Sequence, residues 1–270
     1  MAPALALAVV LVLAAAATAQ TVTRSSGAVS ATFTFDYHQS SVGTPYSHLR
    51  LTISRSGRAL YSAPVNDRWC GTMCWPNQPG TLAVADVEGN GQPDVLLNLY
   101  TGGAHCCSVT EVYRPTAAHG YTRLTHIWGD PDYRLERLTP GGPYRFVTGD
   151  DRYAYEFAAY AFTGLPLEIL KLSGARFVNV TRSYPKLVER DASGDWKYYR
   201  ENRRSGTGLG FLGAWAADEY TLGRGAAATH TIAALERAGQ LRSSTPGYWS
   251  GGAKFIARLD AFLRKTGYSR

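Results

Sequence analysis

The chain is poor in sulfur and lacks the sequence motifs of the common catalytic classes. Among its 270 residues there are four cysteines and two methionines. It has no G-x-S-x-G nucleophile elbow, no H-E-x-x-H metal motif, no G-x-x-x-x-G-K-[ST] phosphate loop and no G-x-G-x-x-G turn after a strand. The chain therefore lacks the usual sequence signatures of esterases, metallopeptidases and nucleotide-binding enzymes. No motif therefore identifies a reaction.

Long apolar runs are also missing beyond the N-terminus, where a membrane span would need about 20 such residues. Residues 5–17 form one apolar run, and a small-x-small pattern at residues 17–19 precedes Gln20. This arrangement predicts a secretory signal peptide over residues 1–19. No Lys or Arg precedes the run, so a signal segment that stays as a membrane anchor is the alternative. No cysteine comes before Cys70, so we do not expect a lipid anchor.

The even number of cysteines predicts two disulfides in an exported chain. The four residues are Cys70, Cys74, Cys106 and Cys107. We expect crosslinks between the first pair and the second, because a bridge between adjacent cysteines closes a strained small ring; the sequence leaves the pairing open. A zinc site that includes His105, or a redox-active pair, is the alternative, but the Cys-x-x-x-Cys spacing differs from the Cys-x-x-Cys that zinc sites commonly use.

The most informative stretch spans residues 81–114 and contains a loop rich in oxygen-bearing side chains. Such residues occupy loop positions 1, 3, 5, 7 and 9, with glycine at positions 4 and 6; they are Asp86, Glu88, Asn90, Gln92 and Asp94. Alternate residues of a tightly curled loop can turn their oxygens inward around a hard cation. The pattern predicts a structural Ca²⁺ site in which Gln92 contributes its backbone carbonyl. The alternative is a Gly/Asn-rich turn with solvated acids.

The residues on either side of this loop favour strands over helices. An EF-hand requires a bidentate Glu at position 12, which here is Leu97. Apolar runs of strand length flank the loop. In this setting the stretch 81–114 resembles the calcium loops of FG-GAP and VCBS-type β-propeller repeats, with the pattern D-x-[DN]-G-[DN]-G-x-x-D. It departs from that pattern at Glu88. The resemblance implies a calcium-braced strand pair and, in many relatives, binding of a ligand or protein.

Periodicity along the chain predicts an α+β fold. Strand patterns occur over residues 29–37, 48–54, 59–65, 81–85, 94–100, 108–114, 121–128, 144–148, 155–162, 166–172 and 176–181. Helical patterns occur over residues 187–191, 195–204, 214–222, 226–238 and 253–263, with a glycine-rich break over residues 206–213. We predict an antiparallel β domain over residues 20–184, with blade-like or sandwich sheets, and a small helical segment over residues 185–270 docked on it.

Positive charge is concentrated in the C-terminal third. Of 28 Lys and Arg and 21 Asp and Glu, 15 and 8 lie after residue 180, which leaves 13 of each before it. The densest cluster is formed by Arg200, Arg203 and Arg204. A basic helical face suits an anionic partner at the cell envelope or surface. The alternatives are a solvated face and nucleic acid, but no nucleic-acid-binding motif is present.

Two functional hypotheses follow from the sequence. The first is a secreted, calcium-stabilised and disulfide-braced binding or cell-surface protein without catalytic activity, whose ligand is unknown. The second is a secreted hydrolase with acid and base groups in the loops near His105, Asp150 and Asp151. Paired carboxylates also occur at Asp218 and Glu219, which we interpret as a helix face.

Overall fold

The computed structural model describes residues 17–39, 45–66, 75–77, 80–118 and 120–269. It confirms the α+β prediction, since three antiparallel sheets are followed along the chain by four α-helices. Most of the predicted signal segment, together with Cys70 and Cys74, lies outside the described residues.

The first sheet is a meander of four strands in chain order. They are β1 (Thr18–Ser26), β2 (Val29–Tyr37), β3 (Tyr46–Arg55) and β4 (Arg58–Pro64). Along β2, buried and half-buried side chains alternate because successive residues of a strand point to opposite faces. The turn between β3 and β4 places Ser56 and Gly57 at φ values of 49° and 79°. Positive φ at both positions is typical of the tight hairpin turns that match the twist of paired strands.

The second sheet is built around a strand that is buried on both faces. Its members are β5 (Trp75–Pro76), β6 (Leu82–Ala85), β7 (Asp94–Gly103), β8 (Cys106–Pro115) and β9 (Tyr121–Gly129), with β5 and β6 both paired to β7. In β7, Leu97 and Leu99 pack in a core shared with the first sheet, whereas Leu96 packs in a different core. Burial of both faces explains why β7 is nearly continuously apolar rather than alternating.

The third sheet covers the other face of the second. It consists of β10 (Arg134–Glu136), β11 (Arg145–Gly149), β12 (Leu167–Ser173) and β13 (Arg176–Asn179), paired in that order. Phe146 and Leu170 of this sheet pack against Leu96 and Val112 of the second. The three sheets are therefore layered in chain order, with the second in the middle.

Four helices follow the third sheet and form a third core. They are α1 (Pro185–Asn202), α2 (Leu209–Thr221), α3 (Gly225–Arg237) and α4 (Gly252–Thr266). Pro185 occupies the first turn of α1, where no backbone N–H is needed, and α4 ends at Gly267 with φ of 82°. No helix among the described residues is both long and apolar enough to cross a membrane.

Two local predictions are wrong. Residues 155–162 do not form a strand; a 3₁₀ turn at Tyr160–Phe162 lies there instead, and Phe157 packs into the helical core. The predicted glycine-rich break over residues 206–213 is also wrong from Leu209 onward, because α2 begins there. Gly210 and Gly213 lie where a side chain would collide with Phe162 and Phe157, so these glycines permit close packing of a helix.

Candidate calcium-binding loop

The loop from Asp86 to Gln92 connects two antiparallel strands, as the sequence predicts. Strands β6 and β7 pair with Ala85 opposite Asp94, so the loop closes a hairpin. Gly89 and Gly91 have φ values of 74° and 80°, a left-handed conformation that only glycine adopts without strain. These two glycines curl the backbone twice within a few residues.

Side chains within the loop accept hydrogen bonds from its own backbone. The Asp86 carboxylate accepts from the N–H groups of Asn90 at 2.9 Å and Gly91 at 2.8 Å. The Asn90 side-chain oxygen accepts from the N–H of Gln92 at 2.9 Å. These contacts place the oxygens of positions 1 and 5 on the inner side of the curl, where an ion-binding loop needs them.

Glu88 at position 3 has partners outside the loop. Its carboxylate forms an ion pair with Arg114 of β8, and it accepts a hydrogen bond from the N–H of Gly174 at 3.1 Å. Gly174 lies between β12 and β13, so Glu88 connects the second sheet to the third. The longer side chain at this position, where the propeller pattern has Asp or Asn, therefore reaches across to a neighbouring sheet.

Asp94 closes the loop from a buried position. It is 2% exposed, and its carboxylate accepts from the N–H of Val87 at 3.4 Å. Burial raises the pKa of Asp94 to about 7, although the positive charge of Arg114 opposes that shift. The Arg114 Nε atom lies 3.9 Å from Asp94 Oδ1 and makes no hydrogen bond of its own. Arg114 thus supplies part of the positive charge that the loop acids require.

The fit of the loop to Ca²⁺ rests on four of its five predicted ligands. Asp86, Asn90 and Asp94, together with the Gln92 carbonyl, belong to the curl itself, whereas Glu88 is engaged by Arg114. Among the described residues, the three loop acids do not form a group whose ligand atoms all lie within 4.8 Å of one another. With Glu88 turned to Arg114, the remaining positions of a six- to eight-coordinate ion would fall to water. The calcium site stays a prediction.

The second cysteine pair begins strand β8. The structure brings the sulfur atoms of Cys106 and Cys107 together, and the N–H of Cys107 donates to Thr101 Oγ1 at 2.7 Å. The predicted crosslinks to Cys70 and Cys74 involve residues outside the described part of the chain, and the disulfide prediction stays open.

The residues of the alternative, catalytic hypothesis are not gathered around one cleft. His105 is exposed and packs on the ring of Tyr160 at 4.4 Å between centroids. Asp150 pairs with Arg152 at 2.5 Å, which satisfies its charge, and it also accepts from the N–H of that residue. Asp151 accepts from the N–H of Asp130 at 3.3 Å.

A cavity of about 290 Å³ lies beside Asp150 and Asp151. His126 lines this cavity and His105 does not. Burial against Trp128 and Phe177 lowers the pKa of His126 to about 4. The imidazole that lines the same cavity as these acids is therefore one that the sequence analysis did not single out.

The sequence analysis missed a cluster formed by Asp191, Asp195 and Asp218 between α1 and α2. Two features could have indicated it. Asp191 ends one predicted helical stretch and Asp195 begins the next, and in a single helix residues four apart lie on one face. Asp218 directly follows the apolar residues 209–217 of α2, nearly all of which are buried.

Comparisons with known proteins give partial matches. The chain matches no protein-family model, and no solved structure matches it. An uncharacterised protein of Sinorhizobium fredii is 29% identical over 143 residues, which is 49% of this chain and 21% of that protein. A probable thylakoid lumen protein of Synechocystis is 30% identical over 103 residues, which is 37% of this chain and 30% of that protein. The matched regions span less than a third of either relative.

Proposed function

We propose that this chain is an extracytoplasmic binding or surface protein without catalytic activity, whose stacked sheets are braced by a structural calcium ion in loop 86–94. The observation that carries the proposal is the position of the loop, which belongs to the second sheet and contacts the third. An ion in this loop would stabilise the packing of the second sheet on the third, in addition to the turn between β6 and β7.

Three successive loop residues make the contact between the layers. Val87 is 1% exposed and packs in the core shared by the second and third sheets. Glu88 accepts from the backbone of Gly174. A side chain at Gly89 would have its first carbon 3.3 Å from Pro143, so the loop backbone passes close to the chain that leads into β11. Loosening the curl would disturb all three contacts.

The resemblance to FG-GAP and VCBS-type repeats supports the same interpretation. In those repeats the calcium loop lies between two strands, and here the loop likewise joins β6 to β7. Position 4 and position 6 of the pattern are glycines, and both have the positive φ that the curl requires. The binding role that the resemblance implies in many relatives is carried over as part of this proposal.

Export is supported by the N-terminal pattern and by one relative. The small-x-small pattern at residues 17–19 would allow cleavage before Gln20, and β1 would then begin at that residue rather than at Thr18. The Synechocystis relative is named a probable thylakoid lumen protein, and the lumen is a compartment outside the cytoplasm. Extracellular modules bind Ca²⁺ with dissociation constants of about 0.1–1 mM, so the ion would be bound where calcium is abundant.

A partner is proposed for the basic end of α1. Arg200 and Arg204 are exposed at the end of this helix, and Arg203 beside them is half-buried. We propose that this cluster contacts an anionic component of the cell envelope or surface. Such contacts are sensitive to salt, because exposed charges are screened over about 8–10 Å at physiological ionic strength.

Direct measurement of calcium binding tests the proposal. Calorimetric titration of the chain with Ca²⁺ is expected to show binding that Asp86→Ala weakens at least about tenfold, because the first ligand of the loop is lost. Glu201→Gln, which removes a carboxylate paired with Lys197 on the surface, serves as the control and should leave binding unchanged. Equal binding by the chain and by Asp86→Ala would reject the loop as the calcium site.

A further inference from the structure

Three aspartates from two helices converge beneath the surface at the junction of α1 and α2. Asp191 and Asp195 lie one turn apart on α1, and Asp218 faces them from α2. One ligand atom from each carboxylate lies within 4.8 Å of those of the other two. Like charges at this helical spacing repel each other, so the arrangement costs stability unless a positive charge compensates it.

Asp218 is buried, at 0% exposure, and neither of its oxygens has a hydrogen-bond partner of normal geometry. The Oδ2 atom of Asp195 is also buried without a partner. Within the described residues, no Lys, Arg or His forms an ion pair with any of the three acids. A buried carboxylate without compensation is costly, and native structures rarely retain one.

The two helices that carry the acids are held together by aromatic pairs. Trp196 packs on Trp215 at 4.6 Å between ring centroids, and Tyr198 stacks on Phe211 at 3.7 Å. Trp196 is the residue next to Asp195, so the acids are presented by a rigid part of the helix interface. Ligands on packed helices hold an ion more precisely than ligands on loops.

A cavity gives access to the cluster. It has a volume of about 520 Å³ and is lined in part by Asp191, Asp195, Arg190 and Tyr198. Three carboxylate oxygens leave several positions of a hard cation open, and water entering from this cavity could fill them. The site therefore has an entry path as well as ligands, which a metal site requires.

The electrostatic surroundings agree with the geometry. Burial and the charge of Asp191 together raise the pKa of Asp195 to about 8. Burial and the charges of the other two acids also raise the pKa of Asp218, while the nearby backbone N–H of Leu167 opposes that shift. Burial also raises the pKa of Asp191, and the positive charge of Arg134 opposes that shift. The shifts of Asp195 and Asp218 are set by burial and by the other acids, so a bound cation would help to keep the three acids ionised together.

We propose that Asp191, Asp195 and Asp218 bind a hard divalent cation of the Ca²⁺ or Mg²⁺ class, at a site separate from loop 86–94. Carboxylate oxygens are the ligands that these ions prefer. Two oxygens on opposite sides of Ca²⁺ are about 4.8 Å apart, given bond lengths of about 2.4 Å. The three acids therefore fit around one ion, and that ion joins α1 to α2.

Titration calorimetry with Ca²⁺, repeated with Mg²⁺ and Mn²⁺, tests this site in the Asp86→Ala background, where the loop no longer contributes. We expect one ion per chain in Asp86→Ala and an affinity at least about tenfold weaker when Asp195→Asn is added, because a charged ligand is lost. Glu201→Gln in the same background is the control, since Glu201 lies on α1 but pairs with Lys197 at the surface. The amide of Asn has nearly the same size as the carboxylate of Asp195, so Asp195→Asn is expected to fold, as far-UV circular dichroism can verify; if it does not, Asp191→Asn replaces it.

The outcomes separate this site from the calcium loop. A parent chain that binds two ions supports both sites if each single variant binds one. If the parent binds one ion, and Asp86→Ala still binds it whereas Asp195→Asn does not, the result supports the aspartate site and contradicts the loop site. Absence of binding in Asp86→Ala, or unchanged affinity after Asp195→Asn is added to it, would overturn the aspartate site.

Discussion

The guanidinium of Arg114 forms an ion pair with the Glu88 carboxylate and so ties the predicted calcium loop to strand β8. Both side chains are largely buried, at 18% and 17% exposure, and the Asp94 carboxylate, at 3% exposure, lies 3.9 Å from the guanidinium Nε. Arg114 is thus the cation that the protein itself provides to two loop acids. A Ca²⁺ ion bound in the loop would also compensate the charge of these acids. The contributions of Arg114 and of the ion to stability can therefore be measured separately.

Replacing Arg114 should therefore be costly, and calcium should reduce the cost. Removal of one partner from a buried pair costs about 3–5 kcal/mol, and for this partly exposed pair we expect about 2–3 kcal/mol for Arg114→Gln in urea unfolding with chelator. In saturating Ca²⁺ the loss should be smaller. Lys197→Gln, which breaks the exposed pair with Glu201, is the control and should cost less than about 1 kcal/mol. A loss as small as that of the control would contradict the role given to Arg114.

Two helical glycines should respond to alanine with opposite signs. Gly194 is exposed on α1 with open space around it, so Gly194→Ala should stabilise the protein by about 0.5–1 kcal/mol. Gly213 is buried in α2, and an added carbon would lie 2.8 Å from the Phe157 ring. Gly213→Ala should destabilise the protein by about 1–3 kcal/mol through overpacking. Chemical denaturation of both variants measures the difference; stabilisation by both would mean that α2 does not approach Phe157 as described.

His126 should make stability fall as the pH falls through the acidic range. Burial lowers its pKa to about 4 from an ordinary value of 6.5. Between these values the unfolded chain binds a proton that the folded protein does not, so stability is retained above about pH 6.5 and is lost on approach to pH 4. His126→Phe keeps the aromatic packing and should flatten the pH dependence of unfolding in this window. His230→Gln, a change on the exposed face of α3, should leave the slope as in the parent; equal slopes in all three proteins would argue against a buried neutral imidazole.

The basic cluster at the end of α1 should mediate binding to anionic surfaces. We expect the parent to sediment with vesicles of anionic phospholipid, and not with neutral vesicles, to a degree that falls as salt is raised. Changing Arg200, Arg203 and Arg204 to Gln should abolish most of this binding. A control with the same net charge changes three exposed arginines of the first sheet: Arg24, Arg50 and Arg58. If both triple variants lose binding equally, net charge rather than the cluster is responsible.

Most strands of the sheets can be predicted from the sequence because strand patterns are local, although β1, β5 and β10 lie outside the predicted strands. The bounds of β2 are the same as predicted, and the turn residues Ser56 and Gly57 mark the hairpin that follows β3. The loop from Asp86 to Asp94 was located correctly between two strands, since its glycines and flanking apolar runs are contiguous in the chain. Such local sequence patterns do not depend on which distant residues pack against the strand or the turn.

The failures concern residues whose surroundings come from distant parts of the chain. Residues 155–162 resemble a strand by composition, but Phe157 is buried against Phe255 and Phe262 of α4, about one hundred residues later. The sequence predicts a break at Gly210, because the close contact of this residue with Phe162 does not show in the sequence. The interpretation of Asp218 as a helix face likewise does not indicate that the packing of α2 on α1 buries it.

Loop 86–94 is proposed to be a structural calcium site, and the melting temperature with and without Ca²⁺ tests this proposal most directly. The measurements are best made in the Asp195→Asn background, so that the aspartate cluster does not contribute. At ten times its dissociation constant, a bound ion adds about 1.4 kcal/mol, which for a chain of this size corresponds to a rise of about 3–6 °C in melting temperature. We predict this rise on adding Ca²⁺ to chelated protein, and its loss in Asp86→Ala. Identical melting temperatures with and without chelator, or an undiminished rise in Asp86→Ala, would contradict the account.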